Sequence, residues 1–497
     1  DQGIAIRDAA DLDLALSDII LEAAPVSADA GAHATWAAAL LEAKLKGVAA
    51  PGTAFNLDPI GALMRGGAMG RDDLSEAGRF ALRVRTELPA ATALRADARP
   101  VHEAGGTEAQ ELAAALSSAI AYLRALTEAG LSAADANAAL SFAVAVGPDT
   151  LIETAKLRAL RLCWARVAEA SGAAPEARAA RIHAFTSRRM MTRYDAWTNI
   201  LRVTTAAFGA AIGGADAITT ANFTDALGLP TPFARRVARN TQHVLLEECR
   251  LGHVADPAGG SWFVEKLTRD LADKAWEIMQ AIEAKGGMAA ALQSGYVQAL
   301  VADARSARQR AIATRRETVT GVTDFPLLGA AAPEFEARPA GKVGGDLAPI
   351  RWAEPFEALR DRAEASSPRP AVFFANIGAL AAFGPRAQFA RNLFAAGGVG
   401  AVGEEDEYAS RDDMIYALRE SRARVAVICG ADTAYAEEAV NAAQRLKAAG
   451  AHWVILTGKP GEREAALRAA GVDQFVFAGQ DALKESETLH AALGLAP

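Results

Sequence analysis

Cysteine is scarce in this chain of 497 residues: Cys163, Cys249 and Cys429 are its three, far apart and without the paired spacings of a zinc site or a disulfide framework. That excludes a disulfide-stapled secreted fold and fits buried thiols in a reducing cytosol. No Lys/Arg-rich block occurs, and a net charge of −8 gives no electrostatic footprint for nucleic acid or an acidic membrane. Neither is expected as a partner. The longest apolar stretches, such as residues 371–384, are too short to span a bilayer, and no charged-then-apolar leader opens the chain. A cytoplasmic location is the expectation. His102, His183, His243 and His253 include no pair with metal-ligand spacing on one helix face, so no metal site is predicted. An initiating methionine is missing too, and the start at Asp1 suggests a fragment or an engineered start.

What is present is ordinary core-forming material, 51% hydrophobic and long enough for two or more domains. Short β-rich runs ending in Gly, Asp or Pro recur at 25–31, 52–56, 91–97, 141–147, 181–187, 216–223 and 253–259. Amphipathic helices fit between them. In 107–129, Thr107 and Gln110 have capping-box spacing, and Leu112, Leu116, Ile120 and Leu123 line one face. In 150–170, Leu157, Leu160, Trp164 and Val167 do the same. Repeated strand–helix units imply a parallel sheet whose closed form is a (β/α)₈ TIM-type barrel over residues 1–265. The runs fall one short of that form, so the first strand is expected upstream of Asp1.

From Glu265 to about Lys285 a helical stripe of Leu267, Leu271, Ala275, Ile278 and Ile282 points to packing, and helical composition continues to about Glu317. Residues 331–370 then collect Pro333, Pro339, Gly341, Gly344, Gly345, Pro349, Pro355, Ser366, Ser367, Pro368 and Pro370. Residues 266–368 therefore read as a helical and irregular linker. The last segment, 369–497, shows strands near 371–377, 399–403, 424–429, 452–457 and 474–478, each followed by a helical stretch, which is a flavodoxin-like sheet. Gly398, Gly400 and Gly403 spell GxGxxG but follow the helix predicted over 386–396 and enter a strand. The dinucleotide fingerprint needs the opposite order.

Candidate chemistry is thin. The loop predicted over 376–386 stands where an open α/β sheet grips its ligand, yet Leu380, Ala381, Ala382 and Phe383 offer no metal ligand, acid or base. His183, on a strand ending in Thr186 and Ser187, points by position at a barrel mouth. Thr219, Thr220, Asn222 and Thr224 either hydrogen-bond a polar ligand or satisfy backbone at a strand end. Cys429 has no basic sequence neighbour to activate it.

Several long motifs over residues 181–268, beginning RIHAFTSRRMMTRYDAWTNILRV and ending DPAGGSWFVEKLT, resemble the barrel of methylmalonyl-CoA mutases. The likeness extends over nearly the whole chain and implies three parts: a barrel threaded by the CoA pantetheine arm, a wrapping linker and a C-terminal cobalamin-type domain. It also implies adenosylcobalamin radical chemistry in the family. The resemblance fails at the active-site positions. Catalytic chains carry a Tyr-His pair shortly before EAG; EAG is Glu103–Gly105 here, and the pair falls on Arg99 and Pro100. Their RTHSQTSG falls on Arg181–Arg188, keeping His183 but placing Phe185 where Gln stands. Their KxGxDGHDRG falls on Asn376–Pro385, with Leu380 in place of the carboxylate and Ala382 in place of the cobalt ligand. Their Ser-x-Leu and Gly-Gly contacts fall on Cys429 and Ala431, then Thr457 and Gly458.

The pattern is similar to the small, or beta, subunit of the bacterial heterodimer. That resemblance implies a non-catalytic chain with no catalytic residue and no cofactor of its own, supporting a catalytic large subunit. Adenosylcobalamin, and most of the acyl-CoA binding, would then belong to the partner, and the complex would interconvert (R)-methylmalonyl-CoA and succinyl-CoA. Two alternatives stay open at this stage. One is a self-sufficient acyl-CoA mutase or other CoA enzyme with a relocated site on His183, Thr219, Thr220 and Asn222; the other is a stand-alone regulatory or CoA-binding module.

Overall fold

The computed structural model describes residues 4–45, 47–338 and 345–495. Pro339, Gly341 and Gly344 of the predicted linker, and the start at Asp1, lie outside the described residues. The chain divides into two compact units. The first takes Asp1–Met191, Asn199–Arg305 and Glu334–Arg351; the second takes Thr192–Thr198, Ser306–Pro333 and Trp352–Pro497.

In the first unit, β1 (Ala54–Leu57), β2 (Thr92–Asp97), β3 (Leu140–Val146), β4 (Ile182–Thr186) and β5 (Ala217–Thr219) pair in sequence order, all parallel. The sheet curls as a half-barrel, as parallel strands joined by helices do. β3 reads LSFAVAV and is buried along its whole length, as a near-continuous apolar run in a parallel sheet is. Between sheet and helices, Leu94, Phe142, Val144, Ile182 and Ala184 meet Leu112, Leu116, Leu157, Leu160 and Trp164 in one core. Phe142 and Trp164 pack edge to face with ring centroids 4.9 Å apart, and the indole N–H donates to Asn137 Oδ1 at 2.5 Å.

The helices follow their end signals. Glu108–Glu128 starts on the full capping box of Thr107 and Gln110, and Thr150–Ala170 starts on Asp149, which accepts from the backbone of Ile152. The helix Trp262–Glu283 buries Val264, Thr268, Ala272, Ala275, Met279 and Ile282. Leu271 and Ile278 pack against that line from its edge, so the stripe is turned slightly from the one expected.

Two of the expected strands are not formed. Residues 25–31 contribute only a bridge from Ser27 to Ala54. Residues 253–259 turn instead of extending: Asp256 sits at φ +50° and its carbonyl accepts from Gly259 N–H at 2.9 Å. The run 216–223 keeps strand geometry only to Thr219, because Asn222 folds back and its Oδ1 accepts from the backbone N–H and the hydroxyl of Thr224. The sheet in the described residues therefore has five strands, where a closed barrel needs eight.

In the second unit, β6 (Ala371–Ile377), β7 (Gly400–Val402), β8 (Val425–Gly430), β9 (Trp453–Thr457) and β10 (Gln474–Val476) form a parallel sheet of order β10-β9-β8-β6-β7. One boundary differs from expectation. The helix after β6 begins at Leu380, so residues 380–385 are helix and not loop. Ala379 is extended and has no side chain to cap with, and the Leu380 N–H takes Glu407 Oε1 as its acceptor at 2.6 Å. Pro385 lies inside this helix, a position that ordinarily marks a break. The glycines at 398, 400 and 403 serve the backbone: Gly398 has φ +83°, and a Cβ there would lie 2.8 Å from Ala363 Cβ. Among the described residues no helix is long and apolar enough to cross a membrane.

Candidate functional site

A cavity of about 740 Å³ opens at the carboxyl ends of β2, β4 and β5, the end of a parallel sheet where ligands bind. Of the residues singled out in the sequence, Thr219, Thr220 and Asn222 line it. His183 lies beneath, where alternation along β4 sends Ile182, Ala184 and Thr186 into the core and leaves His183 and Phe185 half-buried on the inner face. Its Nε2 hydrogen-bonds Thr219 Oγ1 at 2.8 Å, and its ring stacks on Phe185 at 4.0 Å between centroids. The Arg99 guanidinium lies 3.7 Å from the centre of the same Phe185 ring. Arg99 and Phe185, the positions where the resemblance leads one to expect Tyr and Gln, are thus in direct contact. Thr220 is engaged on its other side, donating to Ala238 O at 3.0 Å and accepting from Gln242 at 3.1 Å.

Below the cavity is a charge network that the sequence reading passed over. Arg95, Asp97 and Arg99 alternate along β2 and its end, and that period of two was the available signal. The fully buried Asp97 carboxylate pairs with Arg65, with Arg99 at 2.5 Å and with Arg95 at 3.5 Å. Asp29 accepts from Arg95 at 2.9 Å and from Arg99 at 3.2 Å. Burial opposes ionisation of Asp97, but the guanidinium groups outweigh it and hold the carboxyl far below the usual range. His183 feels the reverse: burial, reinforced by Arg95 and Arg99, pushes its pKa down to about 4. It is neutral at physiological pH and a weak proton acceptor. Glu103 of the EAG motif accepts the backbone N–H groups of Arg188 and Arg189 at 2.9 and 2.8 Å, fixing the loop after β4.

Behind β3 runs a second chain of polar contacts. Ser187 Oγ meets His102 Nε2 at 2.8 Å, His102 Nδ1 lies 3.2 Å from Glu111 Oε2, and Lys156 Nζ donates to the same oxygen at 3.0 Å. The order is that of a nucleophile, a base and its orienting acid. All four residues are fully buried, however, so no substrate reaches Ser187, and the chain ties three helices to the sheet.

In the second unit, Leu380 and Ala382 occupy the exposed first turn of the helix after β6. Carbon is all they offer, so the residues at this position do not fit a cobalt-bound cofactor, which needs a nitrogen ligand and a carboxylate to orient it. The crevice beyond β8 and β9 is tied shut by protein groups. Arg386 donates to Gly430 O at 2.5 Å, pairs with Asp432 at 2.6 Å and lies 4.7 Å over the Tyr435 ring. The Tyr435 hydroxyl approaches Ile428 O and Thr457 O at 3.0 and 2.8 Å and accepts from Gly430 N–H at 3.1 Å. Cys429 is fully buried, its thiol pushed up to about 12 by desolvation, which makes it an inert core group. Among the described residues no group of three His, Cys, Asp or Glu side chains is placed to hold a metal ion.

The family model described as methylmalonyl-CoA mutase matches residues 1–338. A methylmalonyl-CoA mutase small subunit from Streptomyces virginiae is 45% identical over 481 residues, covering 95% of this chain and 76% of the relative. The small subunit from Propionibacterium freudenreichii subsp. shermanii is 37% identical over 492 residues, 98% of this chain and 76% of that one. A methylmalonyl-CoA mutase from Rhizobium meliloti is 37% identical over 244 residues, 48% of this chain and 34% of the relative. The two small subunits align along almost the whole chain and the Rhizobium meliloti mutase along about half of it, and the chain belongs to the methylmalonyl-CoA mutase family.

Proposed function

We propose that this chain is the non-catalytic small subunit of an adenosylcobalamin-dependent methylmalonyl-CoA mutase. In this reading it assembles in the cytoplasm with a catalytic large subunit that binds the cofactor and most of the acyl-CoA, and that interconverts (R)-methylmalonyl-CoA and succinyl-CoA. The observation that carries the reading is the contact between Arg99 and Phe185 at 3.7 Å. Two positions that would hold catalytic groups are filled by side chains that satisfy each other, with His183 stacked behind them. The carbon-only turn at Leu380 and Ala382 supports the same reading from the second unit.

The reading takes the curled β1–β5 sheet as part of a (β/α)₈ barrel over residues 1–265, followed by a linker over 266–368. It takes 369–497 as a flavodoxin-like, degenerate cobalamin-type domain, for which the strand order with the first strand between the second and third is support. A relocated active site on His183, Thr219, Thr220 and Asn222 fits less well, because His183 is hydrogen-bonded to Thr219 and is an uncharged, weak base at neutral pH. Copurification with a separate chain carrying the intact DxHxxG motif is the test. A large chain that is stable and fully active without this one, under the same conditions, would sink the proposal.

A further inference from the structure

A second cavity, of about 470 Å³, lies beside the chain entering β5 and shares no lining residue with the mouth cavity. The helix Asn199–Ile212 offers it Ala207 and Ala211, four residues apart and so on one face, and Ala215 and Ala217 line it from the start of β5. Side chains this short leave the space open. Leu245 and Leu246 reach it from a π-turn over Val244–Glu248, in which Cys249 N–H donates to Val244 O, five residues back, at 2.9 Å. Such wide turns are rare and recur at functional sites. Leu246 stays 58% exposed, carbon that an occupant of the cavity would cover. The charge of the lining is one-sided. Among the described residues its one acid is Asp216, which pairs with Arg161 at 3.2 Å and accepts the Ile182 N–H at 2.7 Å. The neutral Gln242 donates to Thr220 at 3.1 Å. Exposed Arg239 has no ion-pair or hydrogen-bond partner among the described residues, and exposed His243 follows it one turn on. Glu247 and Glu248 lie on the π-turn but do not line the cavity.

We propose that this second cavity binds a medium-chain aliphatic carboxylate, whose alkyl body lies on Ala207, Ala211, Leu245 and Leu246 and whose head meets Arg239, with His243 beside it. Among the described residues no aromatic ring lines the cavity, so its walls suit an alkyl chain and give a flat ring nothing to stack on. Burial of the chain supplies the affinity. The guanidinium, a fixed charge with a forked set of donors, selects a carboxylate over an uncharged head. The volume falls in the range of small-molecule sites. This site goes beyond the assembly role proposed above and does not depend on it, because binding is read on the chain whether or not a complex forms.

The test is isothermal titration of the full chain with sodium octanoate, and with 1-octanol as its uncharged counterpart. Octanoate is expected to bind with a dissociation constant of about 1 mM or tighter, and several-fold more tightly than 1-octanol. Arg239→Gln should bring octanoate down to the affinity of 1-octanol, Leu246→Ser should weaken both several-fold, and Ala211→Phe, which fills the cavity, should abolish both. Arg239 and Leu246 are exposed, so their variants test the site even where Ala211→Phe does not fold. No octanoate binding up to ~10 mM, equal binding by wild type and every folded variant, or 1-octanol binding as tightly as octanoate overturns the site.

Discussion

The mouth of the first sheet and the crevice of the second stand at equivalent ends of parallel strands. They are filled in opposite ways. The first is filled with charge: Asp97 is surrounded by three guanidinium groups, and an open polar cavity of about 740 Å³ remains above it. The second is filled with carbon and self-satisfied backbone, since Leu380 and Ala382 present no donor, and Arg386 and Tyr435 take up the strand-end carbonyls. Losing ligands from a scaffold leaves buried polar groups that need new partners. A charged wall recruits counter-charges and stays hydrated, whereas a strand-end crevice can be closed by one arginine and one tyrosine.

The sharpest way to break this comparison is Asp97→Asn. It takes from Arg65, Arg95 and Arg99 the one buried carboxylate they share, leaving Arg95 and Arg99 only Asp29, and should cost about 3 kcal/mol, read from urea unfolding. The matching change in the second unit, Asp432→Asn, removes an ion pair whose carboxylate is 84% exposed and should cost under ~1 kcal/mol. Similar costs for the two variants would erase the distinction.

His183 gives a pH-dependent test of the first site. Its pKa of about 4 lies below the ordinary 6.5, so as pH falls through that interval the unfolded chain takes up a proton that the folded chain refuses. The His183 contribution is therefore complete above pH 6.5 and is lost towards pH 4, by about 2 kcal/mol after allowing for partial solvent access. Wild type should lose that much more stability than His183→Asn between pH 7 and 4.5, and parallel curves would show that the ring is not held neutral. Tyr435→Phe should cost about 1–2 kcal/mol in thermal unfolding, because it removes a hydroxyl that bonds across the ends of β8 and β9. The smallest effect is expected from restoring Leu380→Asp with Ala382→His. Added cobalamin should keep its free spectrum, because Arg386 and Tyr435 still occupy the crevice.

Legibility in the sequence followed how local each signal was. The capping box at Thr107 and the helix after Asp149 needed only neighbours in the chain, and both were readable. The five runs of the second unit showed as strands because each is apolar and bounded by turn residues. The run 253–259 misled because its Gly and Pro content marks a turn as readily as a strand end. The helix start at Leu380 was hidden because Ala379 carries no capping side chain and Pro385 argued for a loop, while the acceptor that satisfies it, Glu407, is remote in sequence. The candidate site was half legible. Thr219, Thr220 and Asn222 were singled out as strand-end polar residues and line one cavity, with His183 bonded to Thr219 beneath it. Asp29, Arg65 and Asp97 were missed because their pairing joins segments far apart in the chain, and only the alternation of Arg95, Asp97 and Arg99 hinted at it.

The most direct test of the central claim is mutase turnover by this chain in isolation, supplied with adenosylcobalamin and (R)-methylmalonyl-CoA. With Arg99 packed on Phe185 and only carbon at Ala382, the proposed reading predicts that no succinyl-CoA forms, while the chain copurified with the large subunit proposed for it should turn over. Succinyl-CoA produced by the isolated chain above the cofactor-free background would contradict the account.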